Sequence, residues 1–406
     1  MILFSEYSYK KVRFKRKHFL LQPPNMQTLE QQEKPDDRIR SAPKISYPEE
    51  IIEEIFSRLP VKSVLRFRSL SKSWLSIISG PPFTKLQINR ATRTALFISV
   101  RDQGSGYRHL FSGSLDGGSV THLMKIDTPY VDQNTEAEHS NGLVCFTYGD
   151  LFYDNHITLV LNPSTHKFFE LPHPVVSDDN YIMCNFFGFD ESRNEHKILN
   201  ISPNWESYTI KITIFSLSNY IWRKIDVDCP VNIKRVYMGT SVCVNSTIHL
   251  MLKNPLEILA FDLRTDKFSI VKIPLVAGWK RLIKTNGLLG ILCHDLVEES
   301  NKMHILILQD YEKRVWVRET IRFPGSWKKM GRPSQWDFGN TDKIFFSPSV
   351  LSEGLFEVPV YDMKSRCFKS IQFNLDHQFA RPGAVELEEI KCYVESLIPL
   401  QNDTCT

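Results

Sequence analysis

The chain has 406 residues, 42% of them hydrophobic and 24% charged, which is the composition of an ordinary globular protein with room for more than one domain. Its formal net charge of +4 sits in residues 1–40, which hold nine Lys/Arg against five Asp/Glu, while the remainder holds 41 of each. A folded part without net charge argues against a nucleic-acid partner, and the lack of any run of 18 apolar residues argues against a membrane-spanning helix.

Residues 1–44 read as a disordered basic lead-in. Lys10, Lys11, Arg13, Lys15, Arg16 and Lys17 form a cluster that fits either a nuclear-localisation patch or a solvated tail. The stretch that follows is rich in Gln, Pro and charge. Met1–Phe4 is too short for a signal-peptide core, and the basic run comes after it. Eight cysteines are scattered without a C-x-x-C pair, so we expect reduced thiols in the cytoplasm, the nucleus or both.

Residues 46–79 read as three short helices. Pro48 suits a first helical turn, Ser46 sits before it as a cap, and Glu49, Glu50, Glu53 and Glu54 complement the helix dipole. Ile51, Ile52, Ile55, Phe56 and Leu59 recur at three- and four-residue steps and so share a stripe. Pro60 ends that helix. A second carries Val61, Val64, Leu65 and Phe67, and a third carries Leu70, Trp74, Leu75, Ile77 and Ile78. Helices this short cannot bury so many large apolar side chains among themselves, so another protein should cover the surplus.

Pro48, the Ile51–Ile52 pair, Leu59 to Ser63, Arg66 to Arg68 and Ser71 to Trp74 resemble the F-box motif in its plant form. Tyr47 stands where the family more often has Leu. The resemblance implies docking of a Skp-family adaptor, and through it a cullin. The expected contact residues are Tyr47, Pro48, Ile51, Ile52, Ile55, Leu59, Pro60, Val61, Leu65, Leu70 and Trp74, with Arg68 and Lys72 on a polar rim. We place this domain at residues 45–90.

From residue 91 to 400 the helical period gives way to short strands rich in Val, Ile, Phe, Tyr and Thr. A unit of apolar strand, polar turn and aromatic recurs at 159–172, 212–225, 258–274, 305–321 and, more weakly, 358–371. Its anchors, Phe168, Trp222, Phe268, Trp316 and Phe368, lie 54, 46, 48 and 52 residues apart. We expect each to be buried between neighbouring blades. Gly142 to Phe146, Val242 to Val244 with Ile248 to Leu252, and Gly287 to Cys293 read as inner strands, and a further blade fits 95–125 loosely. The expected fold class is therefore α+β multidomain: a three-helix F-box followed by an all-β, kelch-like β-propeller, with a β-sandwich as the alternative. Residues 401–406 read as a tail.

Asn141 to Cys145, Leu161 to Thr165, Phe187 to Asp190 with His196 to Ile198, and Tyr393 to Leu397 resemble the plant F-box-associated, kelch-type interaction domain. Asn200 departs from that pattern, as does the missing kelch double glycine.

No P-loop, nucleophile elbow or zinc-protease motif occurs, and the carboxylate pairs Asp178–Asp179 and Glu298–Glu299 fall in polar stretches. No enzyme activity, metal or cofactor is expected. The two resemblances together imply a non-catalytic substrate receptor of a cullin-RING ubiquitin ligase, in which the β domain holds an unidentified target protein. Two other readings stay open at this point: a glycan- or small-ligand-binding propeller using Trp205, Trp279, Trp327 or Trp336, and an adaptor-binding scaffold that recruits no cullin.

Overall fold

A computed structural model of the chain describes residues 48–90, 94–127, 137–148, 157–174, 184–204, 209–227, 229–231, 236–253, 256–274, 280–293, 300–326, 335–337, 342–346, 355–375, 379 and 385–400. Tyr47, the lead-in and the tail lie outside these residues, as do both carboxylate pairs. From Pro48 onward the chain forms one compact unit.

Four helices open it: α1 (Glu49–Ser57), α2 (Val61–Arg68), α3 (Lys72–Ser79) and α4 (Pro81–Arg90). Pro48 and Pro60 each stand at the N-cap, with φ of −52° and −57° and no capping hydrogen bond from their own side chains. Pro60 therefore starts α2; it does not end α1, which closes earlier as the Leu59 N–H reaches the Phe56 carbonyl at 3.0 Å. The fourth helix was not expected. Its first two residues, Pro81 and Pro82, occupy positions where a missing N–H costs nothing, and its apolar content is too thin to show a stripe.

The rest is strands. The first group is β1 (Thr94–Asp102), β2 (Tyr107–Ser114), β3 (Gly118–Ser119) and β4 (Thr121–Asp127). Then come β5 (Glu138–Ser140), β6 (Leu143–Tyr148), β7 (Ile157–Asn162) and β8 (Lys167–Glu170). A third group is β9 (Cys184–Asp190), β10 (Glu195–Pro203), β11 (Ile210–Ser216) and β12 (Ile221–Lys224). A fourth is β13 (Val236–Val244), β14 (Thr247–Leu252), β15 (Glu257–Asp262) and β16 (Lys267–Lys272). A fifth is β17 (Lys280–Thr285), β18 (Leu288–Cys293), β19 (Lys302–Asp310) and β20 (Val315–Arg322). The last strands are β21 (Gln335–Asp337), β22 (Lys343–Phe346), β23 (Leu355–Asp362), β24 (Cys367–Asn374) and β25 (Val385–Val394).

Among the described residues these strands form six sheets built as antiparallel meanders in chain order, the sixth extended by β3, which pairs in parallel with β24. The exception is the first sheet, ordered β25-β1-β2-β4, in which the last strand of the chain supplies the innermost position beside β1. Each apolar cluster of the β domain is shared between successive sheets. Phe97 and Leu110 pack on Phe146 and Leu159; Val160 and Phe169 on Phe187 and Phe215; Leu199 and Ile214 on Ile248 and Phe261. The series continues through Ile258 with Ile291 and Ile305 with Phe346, and it returns to the start where Phe345 and Phe373 meet Leu96 and Phe111. Six interfaces that close on themselves make a six-bladed propeller. A β-sandwich has one interface between two sheets, and that alternative is overturned.

In five blades a four-residue turn joins the two outer strands. Its last residue is left-handed: His166, Tyr220, Asp266, Arg314 and Arg366 have φ of 57°, 58°, 56°, 57° and 55°. In four of them the residue closing the third strand caps the turn with its side-chain oxygen. Asn162 accepts from Ser164 N at 2.9 Å, Asp262 from Arg264 N at 2.8 Å, Asp310 from Lys313 N at 2.8 Å and Asp362 from Lys364 N at 2.9 Å. This is the physical content of the repeat seen in the sequence.

The aromatic anchors occupy equivalent places, each the second residue of an outer strand: Phe168, Trp222, Phe268, Trp316 and Phe368. Their expected burial is not met. Phe168 is 47% exposed and the other four are only half-buried. The outer strands lie at the rim of the blades, where many of their residues are exposed. The buried partner is the residue opposite on the third strand: Leu161, Phe215, Phe261, Leu308 and Tyr361. Phe261 and Phe268 meet with ring centroids 4.7 Å apart, and Tyr361 and Phe368 at 5.0 Å.

Candidate functional site

Aromatic packing sets the helical module. Phe56 of α1 stacks on Phe67 of α2 at 5.2 Å, and Trp74 of α3 meets both edge-on, at 5.3 and 5.6 Å. Around this triad Val64, Ile77, Ile78 and Phe83 are buried, and Ile52, Leu59, Leu65 and Trp74 are half-buried against them. The stripe on α1 thus divides. Ile52 and Phe56 point inward, while Ile51 and Ile55, one position before each, stay outside the core at 46% and 53% exposed.

The expected contact residues fall into three sets. Pro48, Ile51, Ile55, Arg68, Leu70 and Lys72 are exposed, Leu70 at 69%. Ile52, Leu59, Pro60, Leu65 and Trp74 are half-buried, presenting one side outward while the other holds the module together. Val61 is the exception. At 1% exposed it belongs to the core, because the first residue of α2 faces back toward Phe83 and the propeller and not toward solvent. Leu75, 41% exposed, belongs with the surface apolar residues and had not been assigned there. The signal was available: Trp74 and Leu75 are adjacent on one helix, so only one of them can face the core.

No group of His, Cys, Asp and Glu among the described residues could hold a metal ion. Several titratable groups inside the propeller make structural hydrogen bonds. Burial would raise the Asp190 carboxyl. The hydrogen bond from Lys197 Nζ at 2.7 Å outweighs it, with help from Ser192 and Arg193, and holds Asp190 below its ordinary range. Lys197 also donates to the Leu263 carbonyl at 2.9 Å, joining the third blade to the fourth. Burial pushes His196 down to about 4 against the opposing effect of hydrogen bonds to Ser140 and Asn141. It does the same to His249, which lies 3.1 Å from Tyr311 Oη. Among the described inner-strand residues, Glu138 accepts from Phe187 N and Ser241 Oγ, and Glu389 accepts from Ala137 N at 3.0 Å. Asn200, out of pattern for a strand, is matched by Asn185 Oδ1 at 2.8 Å. Trp205, Trp279, Trp327 and Trp336 lie outside the residues whose side chains the structure describes.

Three of the motif segments singled out in the sequence converge at one place. Asn162 Nδ2 donates to the Ser396 carbonyl at 3.1 Å and to the Ile398 carbonyl at 2.9 Å. Ser396 Oγ donates to the Gly142 carbonyl at 3.0 Å. Gly142 has φ of 88°, and a Cβ there would stand 2.4 Å from that of Ser396. Only glycine fits.

Residues 48–86 match the model of the F-box domain, and residues 87–389 match the F-box associated beta propeller domain. F-box protein DOR of Arabidopsis thaliana is 26% identical over 354 residues, which span 80% of this chain and 87% of that protein. The putative F-box protein At1g46984 of the same plant is 26% identical over 346 residues, spanning 82% and 88%. The propeller match alone covers most of the chain, so the chain belongs to the F-box proteins that carry an F-box associated β-propeller. The matching family is described by that propeller and not by kelch repeats, so the kelch-type label is dropped.

Proposed function

We propose that the chain is the substrate-recognition subunit of an SCF-type cullin-RING ubiquitin ligase: the helices dock a Skp-family adaptor and the propeller binds a target protein for ubiquitination. The observation that carries this reading is the imbalance in the helical module. Its short helices leave Ile51, Ile55, Leu70 and Leu75 exposed close together in the chain, from α1 to α3, while the propeller's exposed Phe168, Ile221, Val315, Val317 and Leu355 are scattered over four blades. Exposed large apolar residues gathered on one small module favour a protein partner. Exposed Arg68 and Lys72 supply a polar rim.

The target would sit on the β domain. The helical module is tied at the end of the propeller that carries the tight turns, beside Gly142 and Asn162. The connections between blades leave from the opposite end, which favours target binding there. In this reading the chain does no bond chemistry; it raises the effective concentration of target near the charged ubiquitin-carrying enzyme. Its place of action is the cytoplasm, the nucleus or both, and no helix among the described residues is long and apolar enough to cross a membrane.

Affinity capture of the full chain followed by mass spectrometry, with and without proteasome inhibition, tests the proposal. A Skp-family adaptor and a cullin should co-purify, and a target should accumulate under inhibition. Recovery of the adaptor without cullin would favour the scaffold reading instead.

A further inference from the structure

Past the end of β25 the chain runs on as Glu395, Ser396, Leu397, Ile398, Pro399 and Leu400, and its side chains alternate between two neighbours. The even positions face the propeller. Ser396 is fully buried in its bonds to Gly142, Asn162 and Ser164, while Ile398 and Leu400 pack with Val160, Phe169 and Phe215 of the second and third blades. Of the odd positions, 395 and 397 face the helices, while Pro399 is exposed. Leu397 is buried in one cluster with Phe56, Val61, Val64, Ile77, Ile78 and Phe83. Glu395 Oε2 accepts from the Val61 N–H at 3.3 Å, and its carbonyl accepts from Gln87 Nε2 of α4 at 3.4 Å. Val61 is the first residue of α2, whose own N-cap is a proline without any side-chain acceptor. A carboxylate from the far end of the chain thus satisfies one of the four free N–H groups of that helix and complements its dipole.

We propose that residues 395–400 are a two-faced strap that fixes the orientation of the helical module on the propeller, with Glu395 and Leu397 as its positioning residues. Extended backbone with a period of two is the one local geometry that lets a single segment serve two bodies on opposite sides. The even side is anchored by hydrogen bonds that leave it no freedom to slide. The odd side both completes the core of the helices and caps α2. The consequence for the ligase rests on the function proposed above: an adaptor held by α1 to α3 is then held at a fixed angle to whatever the propeller binds.

Hydrogen–deuterium exchange on the full chain, with no partner present, reads the strap directly. In Glu395→Ala and in Leu397→Ala, amides of α2 and α4 should exchange about tenfold faster, the effect of local opening made easier by about 1.4 kcal/mol. Amides of β25 and of the second blade should keep their wild-type protection. Phe168→Ala, at an exposed site on the same blade, should change neither set. Unaltered exchange of α2 and α4 in Glu395→Ala overturns the proposal, and so does a loss that spreads equally into β25, since that would be global destabilisation. If Leu397→Ala does not fold, Glu395→Ala alone decides. A separate titration with a purified Skp-family adaptor keeps the two ideas apart. Wild-type chain that binds no adaptor refutes the proposed function and leaves the exchange result standing.

Discussion

The helical module and the propeller solve the burial problem in opposite ways. The propeller has six interfaces in a ring, each lined by residues such as Phe215, Phe261 and Phe345 that are closed off from water. The module has four short helices, one small aromatic triad and a core completed by Leu397 from another domain. It still leaves four large aliphatic side chains in solvent. The difference teaches where stability resides and where binding does. A closed ring keeps its interfaces to itself, and its exposed apolar residues, Phe168, Ile221, Val315, Val317 and Leu355, are scattered over four blades. A module too small to close its own core carries its surplus outward.

The sharpest way to break this comparison is to damage the ring and the module separately. Phe261→Ala should cost about 3–5 kcal/mol of stability, the usual range for a fully buried aromatic, and denaturant titration should show one cooperative loss. Lys197→Ala should cost a similar amount, about 3–5 kcal/mol, because it leaves Asp190 charged, buried and unpaired. If either variant unfolds at the wild-type midpoint, the ring is not where stability lies.

Acid should weaken the ring next. His196 and His249 have folded-state values near 4, below the ordinary value of 6.5, so the unfolded chain binds protons more readily than the folded one between those limits. Stability is therefore fully present above about pH 6.5 and falls as the pH drops toward 4, by about 1.4 kcal/mol per pH unit for each histidine. Asp190, held low by Lys197, adds a loss that begins only below the ordinary carboxylate range. His249→Gln should flatten the slope between pH 6.5 and 4 in thermal melts. An unchanged slope would show that this histidine is not buried neutral.

The smallest effect belongs to the outer strands. Phe168→Ala should cost less than about 1 kcal/mol, since nearly half of the side chain already meets water. A loss as large as that of Phe261→Ala would mean that the outer aromatics anchor the blades after all.

How far the sequence foretold these regions follows the same divide. The first three helices were legible because Ile52, Phe56, Leu59, Val64 and Ile77 recur with helical spacing. α4 was not, because Pro81 and Pro82 mask a helix start and its apolar residues are few. Five blades were legible through one device, the polar turn followed by an aromatic at the start of the outer strand. The first blade was not fully legible, for two reasons. Its inner strand β25 comes from the other end of the chain, and the path between β2 and β4 detours through β3, which pairs in parallel with Phe373 and Asn374 of the sixth blade. Burial of the outer aromatics was misjudged because a repeat marks equivalence of position and not depth. The burial of Val61 was not legible because a one-dimensional stripe cannot show that the propeller lies on one side of α2. Tyr393 to Leu397 was singled out by resemblance, yet its alternation of Glu395 and Leu397 with Ser396 and Ile398 has meaning only once both neighbours are in place.

The central claim is that the exposed aliphatic side chains of the helical module are a protein-binding face and add nothing to the fold. It is tested most directly by isothermal titration of a purified Skp-family adaptor into the full chain and into the variant Ile51→Ala/Ile55→Ala/Leu70→Ala, with thermal melts of both. The account predicts a loss of binding of about 2–4 kcal/mol, as for central aliphatic anchors of an interface, at an unchanged melting temperature. Binding at wild-type strength by the triple variant, or a melting temperature that falls along with binding, would contradict it.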